Sequence, residues 1–205
     1  MELGEWLPPF VSKPKIAEIA ESFRSRHCGR FTFPLPIDLV TEKELQLDLI
    51  PVSGIRALAR ISAFLRSDFS GIVVDLNEFQ DERFEPRLRF SIAHEVGHFV
   101  MHQDLYRQFK VHSVEDYVNL IQNIREEAYR AIEFQANWFA GTLLVPRDAL
   151  VKVLTAAQKD AGNQMPPGFR SDTELLREWV TPSVARTFGV TEGVIDRRIR
   201  DEGLT

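Results

Sequence analysis

The chain has 205 residues, 44% of them hydrophobic, fifteen phenylalanines and a formal net charge of −5. That is enough apolar material for one substantial domain and a small companion, and the acidic balance argues against a general nucleic-acid binder while leaving room for a local basic patch. The apolar runs fall far short of a bilayer span, the first residues (with Glu2 and Glu5) lack the pattern of a secretory leader, and the single Cys28 excludes an internal disulfide, so no membrane association and a cytoplasmic location are expected.

Residues 1–12 read as a loose arm. A helix is expected from Lys13-Pro14 to about His27, with Ser12 as N-cap, Ile16, Ile19, Ala20 and Phe23 on one face, and Gly29 beyond its end. Prolines 34 and 36 hold the aromatic stretch 31–37 extended, and a short helical turn follows over 36–40. Leu45, Leu47 and Leu49 alternate with polar residues as in a half-buried strand. Residues 60–65 read as a strand or the end of a short helix, 67–71 as a turn and 72–75 as a buried strand; the two segments can pair as a hairpin. Residues 77–86 are a charged connector, 87–102 a helix, 104–111 a surface connection, and Ser113 a cap for a further helix. A long helix is expected over 125–145, stopped by Pro146, and another over 146–157. The glycines and prolines of 158–170 mark a linker or mobile loop. The expected organisation is therefore a core over 1–157, a linker over 158–170 and a small helical tail over 171–205.

The helix over 87–102 carries His94-Glu95-x-x-His98. Four residues apart on a helix, two imidazoles lie one turn apart on one face, the separation needed to share one Zn²⁺. Glu95 lies beside the first ligand and can reach a water activated by the metal, taking its proton as the water attacks a carbonyl. Ile92, Ala93, Val96, Phe99, Val100 and Met101 make the segment too apolar for a solvated helix, so bare imidazoles there would be costly.

A third protein ligand is needed. His102 extends the row, but His94 and His102 lie about 12 Å apart along the axis, too far to converge on one ion. His102 therefore fits a helix cap or a supporting role, and His112 is a further candidate ligand. Glu133 on the next long helix can close the set, with Asn137 one turn on to hydrogen-bond a ligating His; equally, Glu133 could be solvated like Glu126 and Glu127. Ala136, Ala140 and Gly141 are small enough to let this helix approach the motif helix closely.

Two stretches together resemble the ImmA/IrrE family of zinc-peptidase-like proteins: the run from Arg89 to His98, with His102 following, and Glu133-x-x-Ala136-Asn137-x-Phe139-Ala140-x-x-Leu143-Leu144-Val145-Pro146. The resemblance extends over most of 35–205. It implies an α+β fold: a zincin-like, mainly helical metallopeptidase core with a small β-sheet, and a C-terminal helix-turn-helix-like unit. It implies zinc on His94, His98 and Glu133, and Glu95 as general base. It also implies an endopeptidase whose substrate is a helix-turn-helix transcriptional repressor. Residues 103–125 depart from the pattern by their length and are expected to shape or cover the cleft.

In the tail, a helix ending at Gly189 is followed by Thr191 as cap of the next, in the form of a helix-turn-helix. Arg186, Arg197, Arg198 and Arg200 make it basic, so Arg197 and Arg198 could meet phosphates, but Glu192, Asp196, Asp201 and Glu202 dilute the patch. Docking onto the core or a protein partner is the expectation, rather than direct DNA contact. A non-catalytic binding role, as in a toxin–antitoxin or phage regulatory module, is the alternative; it leaves Glu95 without a chemical role. For the oxyanion-stabilising group Tyr106, His112, Tyr117, Tyr129 and Arg89 stand unranked, and the oligomeric state is not specified by the sequence.

Overall fold

The structure is a computed structural model that describes residues 8–29, 31–108, 110–164 and 173–204. It is an α+β arrangement, mostly helical with one small sheet. Helix α1 (Lys13–His27) starts behind Ser12, which has extended backbone angles but makes no side-chain cap bond. A short α2 (Ile37–Leu39) continues as a π turn over Val40–Glu44. That turn consumes the beginning of the strand expected at 45–49. Gln46 then takes a positive φ, and β1 begins only at Asp48 and runs to Val52.

After α3 (Ile55–Ala59), strands β2 (Ala63–Leu65) and β3 (Gly71–Asp75) form the expected hairpin. The sheet order is β1-β3-β2, with β1 parallel and β2 antiparallel to β3. The β-branched run Ile72-Val73-Val74 is buried on both faces, which places it in the centre.

The connector expected over 77–86 is largely helical. Asp75 accepts from the backbone N–H groups of Asn77 and Glu78 and so starts α4 (Leu76–Gln80), and Asp81 starts the 3₁₀ turn Glu82–Phe84. Helix α5 (Glu85–Met101) carries the motif and ends at His102. Part of the expected surface connection is also helical, as α6 (Gln103–Tyr106). Helix α7 (Val114–Asn123) opens with a full capping box between Ser113 and Asp116. Helix α8 (Glu126–Leu144) stops before Pro146, and α9 follows (Arg147–Gln164). The end expected near Ala157 is thus overrun by two turns, because no glycine or proline interrupts 157–161; residues 165–170 of the expected linker lie outside the described residues. Helices α10 (Thr173–Phe188) and α11 (Glu192–Asp201) complete the chain.

The tail is fastened to the core. Val184, Phe188, Ile195 and Ile199 join the same apolar cluster as Phe139 and Leu143. Arg89 on α5 donates to the Gly189 carbonyl at 2.7 Å. Gly189 has φ +62°, and a Cβ there would lie 2.4 Å from the Arg89 guanidinium, so both the turn and the close approach need glycine. Helix α1 packs along α8 through Phe23 and Phe139, whose rings meet edge to face at 5.7 Å, and Arg24 donates to the Leu143 carbonyl at 2.9 Å. Among the described residues no helix is long and apolar enough to cross a membrane.

Candidate metal centre

Helices α5 and α8 cross at Gly97. A Cβ on Gly97 would lie 3.2 Å from the Cα and the carbonyl oxygen of Ala136 and 3.1 Å from the Phe139 ring. Small residues at the crossing therefore set the distance between the helices. Across it, three side chains converge: His94 Nε2 and His98 Nε2 are 3.0 Å apart, His98 Nε2 is 3.2 Å from Glu133 Oε1, and His94 Nε2 is 3.3 Å from Glu133 Oε2. Ligands bonded to one tetrahedral zinc at about 2.0–2.1 Å sit about 3.3–3.4 Å from each other. Two ring nitrogens and the two oxygens of one carboxylate thus converge at 3.0–3.3 Å, close to the spacing of ligands around one tetrahedral zinc. His94, Glu95 and His98 are likewise close enough together to hold a metal ion.

Both rings are held by further partners. The Asn137 amide donates to the Glu133 main-chain carbonyl at 2.8 Å, and its side chain hydrogen-bonds His94 in the sense that favours the charged ring. For His98 the row is longer. Its Nδ1 is 3.0 Å from His102 Nδ1, His102 Nε2 is 2.9 Å from Gln135 Oε1, and Gln135 Nε2 donates to the Pro9 carbonyl at 3.1 Å. A carbonyl only accepts, so the amide nitrogen faces Pro9 and the amide oxygen faces His102. His102 then carries its proton on Nε2, and its Nδ1 accepts from His98 Nδ1–H. His98 Nε2 is left with a lone pair directed at the centre. Burial, with His98 beside it, pulls His102 down to about 3, so it stays neutral as this row requires.

The electrostatics of the cluster follow from burial and proximity. Burial works against a charged His94, but the hydrogen-bonded Glu133 carboxylate outweighs it and raises His94 to about 9. Burial pushes Glu133 up, and the two imidazoles pull it well below the usual carboxylate range. Glu95 is only 7% exposed, and burial raises its pKa against the pull of the neighbouring histidines and of the Leu65 N–H, which donates to Oε2 at 2.8 Å. One carboxylate oxygen is thereby held on β2 and the other is left for chemistry.

Of the other candidates, Tyr106 is buried with its ring 5.3 Å from that of His98. Tyr117 and Tyr129 hydrogen-bond each other and feel the charges of Glu133 and Glu95. Arg89 is engaged by Glu85 and Gly189, and His112 pairs with Asp68 at 3.4 Å; neither belongs to the cluster. Arg198, one of the two cations considered for phosphate, is buried, donates to the Val145 carbonyl at 3.3 Å and pairs with Glu202 at 2.7 Å, so only Arg197 of the two is exposed. The stretch 103–125 is tied to the sheet region. Ser67 and Val111 join by backbone and side-chain bonds of 3.0 and 2.7 Å, and Tyr117 of α7 stacks on Phe64 of β2 at 5.6 Å.

Sequence reasoning did not single out Gln135 or the Leu65 N–H. A signal for the first existed: Gln135 is a polar residue on the core-facing stripe of Ile132, Ala136 and Phe139. The backbone donor has no sequence signature.

The family described as the IrrE N-terminal-like domain of peptidase M78 matches residues 80–200, from before the motif helix to the end of α11. The chain belongs to the ImmA/IrrE family. Membership makes it metallopeptidase-like and implies a metal, and both motif helices fall inside the matched stretch. The family match also runs without a break across the expected linker into the tail. No curated protein matches the chain.

Proposed function

We propose that the chain is a zinc-dependent endopeptidase that cuts a protein regulator, a helix-turn-helix transcriptional repressor, in the cytoplasm. The observation that carries this reading is the convergence of His94, His98 and Glu133 within 3.0–3.3 Å of one another, with the Glu95 carboxylate beside them. In this reading the three side chains hold Zn²⁺, Asn137 and His102 orient the rings, residues 1–157 form a zincin-like core and 171–205 a helix-turn-helix-like tail. A bound zinc would supply Lewis acidity to water and to a substrate carbonyl.

The residues of the chain do the rest. Glu95 is kept in place by Leu65, and its free oxygen takes a proton from the attacking water and returns it to the departing amine. Burial raises its pKa above the ordinary carboxylate value, which favours return of the proton to the leaving group. Buried Tyr106 and half-buried Tyr117 and Tyr129 all have raised pKa values, stay protonated and can donate to an oxyanion; Arg89 and His112 are committed elsewhere. The second reading, a non-catalytic binding member of the family, gives Glu95 nothing to do.

Glu95→Gln separates the two. The amide oxygen can still accept from Leu65, so fold and zinc content should persist while cleavage of a repressor encoded beside the gene falls about 10²–10⁴-fold. A Gln variant that is fully active in cells, with neither form cutting the repressor, would refute the peptidase reading.

A further inference from the structure

A cavity of about 460 Å³ opens one helical turn from the metal centre, between α8 and the tail. Its near end is Asn137, the residue that hydrogen-bonds His94. One wall is aromatic: Phe134, the neighbour of Glu133, is 44% exposed despite its size, and its ring lies 5.9 Å from that of Trp138. The opposite wall is α11, with Val194 and Arg197. The Trp138 indole N–H is buried and has no hydrogen-bond partner among the described residues. Lys13 sits over the same indole at 4.1 Å but is paired with Asp201; Arg197 is exposed and makes no ion pair among the described residues.

We infer that this groove is a side-chain subsite for the peptide bound at the centre, taking an aromatic residue next to an acidic one. Resting as it does on the peptidase reading above, it adds a chemical class of sequence to it. The aromatic wall matches a ring by area and by edge-to-face contact. The indole N–H is itself buried, so it reports on what enters the groove beside the ring. Arg197 at the mouth is the complement of a carboxylate. The groove also explains why the tail is held against the core, since α11 forms the far wall of the substrate site.

The test is a titration of the full chain, following the Trp138 indole N–H resonance, assigned with Trp138→Phe. The probe is the N-acetylated, C-amidated tetrapeptide glycyl-phenylalanyl-glutamyl-glycine, beside versions with alanine for phenylalanine or lysine for glutamate. The first should shift the resonance saturably, and loss of the ring should weaken binding about tenfold or more. Arg197→Glu should reverse the preference between the glutamate and lysine probes. A Cβ at Gly193 meets nothing closer than 4.0 Å, so Gly193→Leu should fill the groove without disturbing the backbone and abolish the response. No shift with any probe, equal shifts with all three, or an unchanged response in both variants would overturn the inference. The titration requires neither metal nor turnover. Its failure beside intact repressor cleavage removes the groove alone, and its success beside absent cleavage removes the peptidase reading while the groove stands as a peptide-binding site.

Discussion

The helix crossing at Gly97 makes a quantitative prediction. In Gly97→Ala the new Cβ would sit 3.1–3.2 Å from Phe139 and from two backbone atoms of Ala136. Unstrained carbon contacts lie at about 3.5–4.0 Å, so α5 and α8 must separate by a few tenths of an ångström, since the backbone of a helix cannot yield locally. The ligand triangle spans the same crossing, with edges to Glu133 of 3.2 and 3.3 Å. Lengthening those edges by a few tenths of an ångström reaches the roughly ±0.2 Å that a metal site tolerates in its bonds. Metal affinity should therefore fall about 10–100-fold, the range seen when groups supporting a site are disturbed. Overpacking should cost about 1–3 kcal/mol in the metal-free protein, and at about 2–4 °C per kcal/mol the melting temperature should drop by a few to about ten degrees. Chelator competition and thermal melts of metal-free protein measure the two effects, with Gly193→Ala, which meets open space, as control. A Gly97→Ala variant that binds zinc as tightly as the parent would show that the crossing does not set the ligand geometry.

Glu133→Ala should abolish stoichiometric zinc, while His102→Ala should weaken it less, by removing only the group that orients His98; equal losses in a metal analysis would show that the division between ligand and support is wrong. Cys28 is buried, and burial raises its thiol to about 11, with Arg24 pulling down and Glu44 pushing up. It should resist a thiol reagent in the folded protein at pH 8 and react once denatured. Because the folded pKa lies above that of the unfolded thiol at about 8.5, its contribution to stability is complete below that pH and is lost as pH rises toward 11. A melting temperature that rises between pH 8.5 and 11 would contradict the assignment, as would rapid labelling of native protein.

What was legible in the sequence was what local chemistry determines. The four-residue spacing of His94 and His98, the capping box at Ser113 and the stop at Pro146 each act within a turn or two of chain, and each appears where expected. The β-strand at 45–49 was misplaced because alternation of Leu45, Leu47 and Leu49 also fits the exit of a π turn, and only pairing to β3 decides the register. Charged residues over 77–86 suggested a connector, yet Asp75 and Asp81 act there as helix starters. The meeting of Glu133 with the motif histidines depends on a tertiary crossing of α5 and α8. Spacing alone could not separate that from a solvated glutamate, and the small residues at 136, 140 and 141 were the local hint. Arg198 read as a surface cation because its burial is imposed by Gly141 on another helix, where a Cβ would come within 3.2 Å of its side chain.

The row from Pro9 to His98 has a polarity. Each link passes a proton's position to the next, and the sign is set where the only group that cannot reverse sits, at the Pro9 carbonyl. Were that carbonyl replaced by a donor, the Gln135 amide would turn over and present its nitrogen to His102. His102 would carry its proton on the other nitrogen, and His98 would in turn point an N–H, instead of a lone pair, into the centre. Competence to bind metal is in this sense not a property of the His-Glu-x-x-His helix alone. It is written jointly by that helix and by a backbone atom near the other end of the chain, and docking of the arm against α8 is what joins the two.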